Sequence, residues 1–293
     1  MAFSYNRRIL WFVLALTLTG CVSVPQPRPG GSDERAVEIL RQAADAHGLA
    51  ALQQVHDVNV RFEGTWNQFV ARVQPVLVDA RFRGSSEERF LLNEAAVGQA
   101  HYGPSGTKQV YRDKTTTRVW YNGQESNSSE VRDAAALVSD NYRMFLFGPY
   151  FFMERPATVQ FLGIEKVDGS RCDSVLAVLR PGIGNSLEDR VVISVDQDHH
   201  WVRRVRITVD GLASTRGAIV DIYLRDHVRI GGIVWPTTFF EELKQPFNAP
   251  VHRWRLTAID YDRGLKRSTL DGPTFKGAAA RDAGTKFDGA QIQ

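Results

Sequence analysis

The chain has 293 residues, 43% of them hydrophobic and 24% charged, with a formal net charge of +3. This composition excludes a disordered chain and a multi-pass membrane protein. The weak charge, with no clustered basic face, argues against a nucleic-acid partner.

Residues 1–20 divide into three parts. Met1 to Arg8 is basic, Ile9 to Leu18 is a short apolar core, and Thr19-Gly20 is a small-residue step. That is the layout of a secretory signal, and its core is far short of the roughly 20 residues that span a bilayer. Leu18-Thr19-Gly20-Cys21 resembles the bacterial lipoprotein lipobox. The resemblance implies that residues 1–20 are a cleaved leader and that Cys21 carries the lipid anchor. Two or more acyl chains hold a protein stably on a membrane, whereas one does so only marginally. Val22 and Ser23 are neutral, which by the sorting behaviour of enterobacterial lipoproteins implies the outer membrane, facing the periplasm. Loss of Arg7 and Arg8 with the leader brings the charge close to neutral. Acylation of Cys21 would leave Cys172 without a partner. Its setting, CDSVLAVLR, reads as an apolar strand with a buried, inert thiol.

Residues 21–32 are rich in Pro and Gly and read as a tether, reaching about 30 Å at ~3.1 Å per residue if extended. A helix follows, with Ser32 as its expected cap, Val37, Leu40, Ala44 and His47 on one face, and Gly48 as its stop. Alternation then takes over. Val58, Val60, Phe62 and Trp66 share one face of a strand, and Val76, Val78, Ala80 and Phe82 predict another. Further strands are expected near 88–94, 97–103, 108–113 and 118–124, punctuated by turn residues. A second helix is expected from about Ser129. It leads into an apolar patch containing Met144, Phe145, Phe147, Tyr150, Phe151 and Phe152, broken by Gly148-Pro149. Strands return with VVISVD, WVRRVRITVDG, AIVDIYLRDHV, GGIVWPTTFFEEL and HRWRLTAIDYD. Residues 262–293 lose apolar content and read as a poorly ordered polar tail.

Nothing alternates as βαβ, so a parallel sheet is not expected. The predicted class is α+β, mainly β: one large, curved antiparallel sheet covered by helices, over residues 33–261. This arrangement looks like the LolA/LolB-type lipoprotein carriers. The local matches are ADAHGLAALQQVHDVNVRFEGTW, FLGIEKVDGSRCDSVLAVLRPG with VVISVDQDHHWVRRVRI, and RIGGIVWPTTF. The resemblance implies that the sheet forms a half-open barrel, with an apolar cavity inside it that takes a lipid, an acyl chain or a lipoprotein acyl group. It carries over no catalytic or ligand-binding residue.

Nucleophile elbows, HExxH, CxxC, Walker and EF-hand motifs are missing from the sequence, so no enzymatic activity, cofactor or metal is expected. Gly182-Ile183-Gly184-Asn185 lacks the third glycine of a dinucleotide loop and reads as a turn. The patch of Met144, Phe145, Phe147, Tyr150, Phe151 and Phe152 has two readings: a core-facing helix end, or a flexible lid over the cavity. Two functions follow. One is lipid or lipoprotein transport in the envelope. The alternative is a non-enzymatic scaffold or stress-sensing lipoprotein that docks an envelope protein partner.

Overall fold

A computed structural model describes residues 23–155 and 157–275; the leader, Cys21 and residues 276–293 lie outside them. The strands of the N-terminal half are β1 (Asp57–Trp66), β2 (Ser85–Leu91), β3 (Ala96–Gly103), β4 (Gly106–Arg112), β5 (Thr117–Tyr121) and β6 (Gln124–Glu125). The second half supplies β7 (Ala157–Val167), β8 (Ser170–Leu179), β9 (Asp189–Asp196), β10 (Val202–Thr208), β11 (Ile219–Arg225), β12 (Val228–Ile230), β13 (Ile233–Trp235), β14 (Thr238–Gln245) and β15 (Ala249–Tyr261). Thirteen of these form one antiparallel sheet in the order β6-β5-β4-β3-β2-β1-β15-β14-β11-β10-β9-β8-β7. β12 and β13 pair separately. The sheet does not close: β6 and β7 are its free edges. The large, helix-covered antiparallel sheet expected from the alternation is therefore present, and it is half-open, as the resemblance implies.

Strand alternation separates two faces. Val58, Val60 and Phe62 of β1 join Val175 and Ala177 of β8 and Val205 and Ile207 of β10 in the main core on the inner face. Two long helices cover that face. α1 (Glu34–His47) buries Ile39, Leu40, Ala43 and Ala44, and stops at Gly48, whose φ of 93° suits a residue without Cβ. α5 (Ser129–Phe147) is capped by Ser128 and is buried along most of its length. Short helices complete the set: α2 (Leu49–Leu52), α3 (Gln68–Val73), α4 (Pro75–Val78), α6 (Pro149–Met153) and α7 (Arg267–Leu270).

Four expectations change. First, Asp33 rather than Ser32 caps α1, its carboxylate accepting from Ala36 N at 2.7 Å. Ser32 instead accepts from Val159 N, and Val37 is exposed. Second, the predicted strand through Val76, Val78, Ala80 and Phe82 is α4 and a turn. Pro75 sits at its first position, where the missing N–H costs nothing, and four residues of alternation cannot tell one helical turn from a strand.

Third, residues 23–32 are a strap rather than a free tether. Val24 is buried against Leu176, Val178, Val192 and Ile219 on the outer face of the sheet. Arg190 Nη1 donates to the carbonyls of Val24 and Pro25 at 2.7 and 3.1 Å. Gln160 binds both the N–H and the C=O of Arg28, each at 2.8 Å. Prolines keep this segment from joining the sheet as a strand, so side chains satisfy its backbone groups.

Fourth, residues 262–275 of the predicted polar tail are folded. The Asp57 carboxylate accepts from the backbone N–H groups of Arg263, Gly264 and Leu265 at 3.0 to 3.2 Å. Leu270 is buried on the outer face among Leu91, Ala96, Tyr111 and Trp120. Gly98 makes room for it: a Cβ there would stand 3.0 Å from Leu270.

Candidate ligand cavity

A cavity of about 350 Å³ lies between the inner face of β10, β11 and β14 and the helices α3, α4 and α5. Its apolar wall includes Leu77, Val138, Phe145, Ile207, Val220 and Leu243. The helices across it are placed by local chemistry. Asn67 caps α3, its side chain accepting from Phe69 N and Val70 N at 2.9 and 3.2 Å. Asp79, at the end of α4, accepts from Lys108 Nζ and Tyr121 Oη, both at 2.7 Å, and so ties α4 to β4 and β5. Ser139 of α5 donates to Gln99, which in turn donates to the buried Glu88. Burial raises the Glu88 carboxyl above its usual range.

One side of the cavity is polar. The buried Arg83 donates through Nη1 to the carbonyls of Leu77 and Val78 at 3.1 and 3.2 Å, and through Nη2 to Tyr142 Oη at 3.1 Å. Its guanidinium lies 4.6 Å from the Trp66 ring. Glu241 of β14, which pairs with His252 of β15, also lines the cavity and is partly reachable from it. Burial pushes its carboxyl up from 4.5 to about 7, with Arg83 pulling the other way. His252 stacks on Trp66 at 3.6 Å and is held neutral, first by burial and then by Arg83. The Oδ1 of Asn141, which also lines the cavity, has no hydrogen-bond partner among the described residues. The cavity thus pairs an apolar wall with a small polar pole, the usual make-up of a small-molecule site.

Of the six residues in the aromatic patch, Phe145 alone lines this cavity. Met144, Phe147, Tyr150, Phe151 and Phe152 are buried in the main core instead. Phe147 packs edge-on against Phe90 and Trp235, with ring centroids 5.2 and 5.7 Å away. Phe151 and Phe152 pack on each other at 5.5 Å. The patch is a helix end seated on the sheet, with only Phe145 at the cavity wall. Sequence reasoning missed Arg83, Glu241 and the contribution of α4. One signal was available: Phe239, Glu241 and Leu243 alternate on one face of β14, and a carboxylate among inward apolar positions marks an unusual site.

A second depression, wider and more open, crosses the outer face beside Arg61, Arg225, Arg253 and Arg255, with Phe240 between them. It lacks the two-sided apolar enclosure of the inner cavity. Cys172 is a buried free thiol on the outer face, and burial pushes it up to about 11. The 182–185 turn is pinned by carboxylates: Asp189 accepts from Ile183 N at 2.7 Å and Asp140 from Gly184 N at 2.9 Å. Among the described residues no cluster of His, Cys, Asp and Glu has the makings of a metal site, and no helix is long and apolar enough to cross a membrane.

No family model matches the chain, and neither does any curated protein. Among solved structures it is similar to a DUF1329 family protein from Desulfovibrio piger, at 12% identity over 82% of this chain and 99% of that one, with a TM-score of 0.48. It is similar to a LolA superfamily protein from Nitrosomonas europaea, at 12% identity over 80% and 97%, with a TM-score of 0.48. The lipoprotein LppX of Mycobacterium tuberculosis shows 14% identity over 82% and 100%, with a TM-score of 0.30. Likeness at this level does not carry function across.

Proposed function

We propose that this chain is a membrane-anchored periplasmic lipoprotein, held through Cys21 at the outer membrane, whose cavity binds a single acyl chain in envelope lipid or lipoprotein transport. The observation that carries the reading is the apolar-walled cavity between α3, α4, α5 and the inner face of the sheet. Its 350 Å³ sits near the lower end of the roughly 300–1,000 Å³ range of small-molecule sites, which suits one chain rather than several. The rest of the inner face is filled by α1, α5 and α6. That filled remainder favours a second reading, in which the same body is a scaffold that docks an envelope protein.

Native mass spectrometry of the full chain purified from bacterial membranes separates the two. The transport reading expects a copurified lipid, displaced by a fluorescent fatty acid. A chain that carries no lipid and takes up no fatty acid overturns it in favour of the scaffold.

A further inference from the structure

The two ends of the sheet expose different chemistry. At one end lie the β8–β9 loop (180–188), the β10–β11 loop (209–218), the β14–β15 loop (246–248) and α3. The register places them together: Leu179 stands opposite Asp189, Ile219 opposite Gln245, and Trp66 opposite His252. Four large apolar side chains project from this end. Leu187 is 89% exposed, Phe69 55%, Val73 51% and Phe247 45%. At the other end, the turns at 168–169 and 197–201 and the 226–237 link expose no large apolar side chain among the described residues.

Three of them, Phe69, Val73 and Phe247, belong to the mouth of the cavity. Val73 and Phe247 line it, and Phe69 meets Phe247 with ring centroids 5.9 Å apart. Arg72 and Arg216 are exposed beside them. The strap ends here too. Val24 packs on Ile219, the first residue of β11, and is held by Arg190 near the start of β9. Cys21 precedes Val24 by three residues in the sequence.

We propose that this end of the sheet is a membrane-docking face, on which Leu187, Phe69, Val73 and Phe247 enter a phospholipid bilayer and the cavity opens toward its acyl-chain layer. Exposed apolar side chains flanked by arginines suit the boundary between headgroups and chains, where the guanidinium meets phosphate and the ring or isobutyl group meets hydrocarbon. Anionic phospholipids complement Arg72 and Arg216. A protein partner fits less well, because Leu187 stands on a different loop from Phe69, Val73 and Phe247, and a bilayer surface meets separate apolar points where a compact protein interface needs one continuous apolar core. An acyl chain passing between bilayer and cavity would then never cross water. The role given to the cavity rests on the function proposed above; the docking face does not.

The test uses the full chain carrying Leu187→Cys, Phe247→Cys or Asp198→Cys, each labelled with an environment-sensitive fluorophore. The unsubstituted chain gives the labelling blank. Vesicles of phosphatidylethanolamine and phosphatidylglycerol, with and without brominated chains, are added. Labels at 187 and 247 are expected to brighten several-fold and to be quenched by the brominated lipid, while the label at 198 stays unchanged. No response at 187 and 247, or an equal response at all three, overturns the proposal. Mass spectrometry of the same sample reads the state of Cys21 separately. A docking signal without acylation removes the anchor and keeps the face; acylation without the signal does the reverse.

Discussion

Glu241→Gln is expected to change how the stability of this protein depends on pH. Burial raises the Glu241 carboxyl from 4.5 to about 7. A carboxyl raised on folding holds its proton in the native state after the unfolded chain has released it. Its contribution is therefore fully present below pH 4.5, falls as pH rises through 7, and is constant above that. The full span is at most about 3.4 kcal/mol at 1.36 kcal/mol per unit. Glu241 is partly reachable from the cavity, so screening by solvent reduces this to about 1–2 kcal/mol. Glutamine keeps the shape and never ionises. At ~2–4 °C per kcal/mol for a domain of this size, the variant should melt about 2–8 °C above the parent at pH 8 and level with it at pH 4.5. Asp189, raised by burial to about 6, titrates in the same window in both proteins, so the difference between them isolates Glu241. Thermal unfolding followed by circular dichroism from pH 4.5 to 8 reads it. A difference that stays constant across that range, or a variant less stable at pH 8, refutes the reasoning.

Phe147→Ala removes a core ring packed on Phe90 and Trp235 and should cost about 3–5 kcal/mol in urea unfolding. Phe145→Ala, at the cavity wall, should cost less and weaken binding of a fluorescent fatty acid about tenfold or more, from ~1.5–3 kcal/mol of lost apolar transfer; equal binding by both variants contradicts the cavity assignment. Cys21→Ala should abolish incorporation of labelled palmitate, and equal labelling of parent and variant would remove the lipobox reading. The Cys172 thiol, buried and pushed up to about 11, should react slowly with thiol reagents at pH 8 in the folded chain and quickly in urea; rapid labelling without urea would show that β8 exposes it.

Much of the architecture was legible because it is written in local periodicity. Val58, Val60 and Phe62 alternate with Asn59 and Arg61, and the same period runs through Val220, Ile222 and Leu224, so strands and their inward faces follow from sequence. Gly48 and Gly148-Pro149 mark where helices stop for equally local reasons. What failed was of two kinds. VLVDARFRG reads as a strand because a single turn of helix is too short for its period to outweigh alternation. The strap and the folded tail looked like linkers because their order comes from Arg190, Gln160 and Asp57, which contact them from distant strands. The cavity belongs to this second class. Arg83 and Glu241 line it from opposite halves of the chain, brought together when β15 pairs with β1 and β14 with β15. Apolar character marks Phe145 and Phe147 for burial, but only packing decides which of them borders the cavity. That depends on whether a helix elsewhere in the chain covers the position, and no local pattern encodes it.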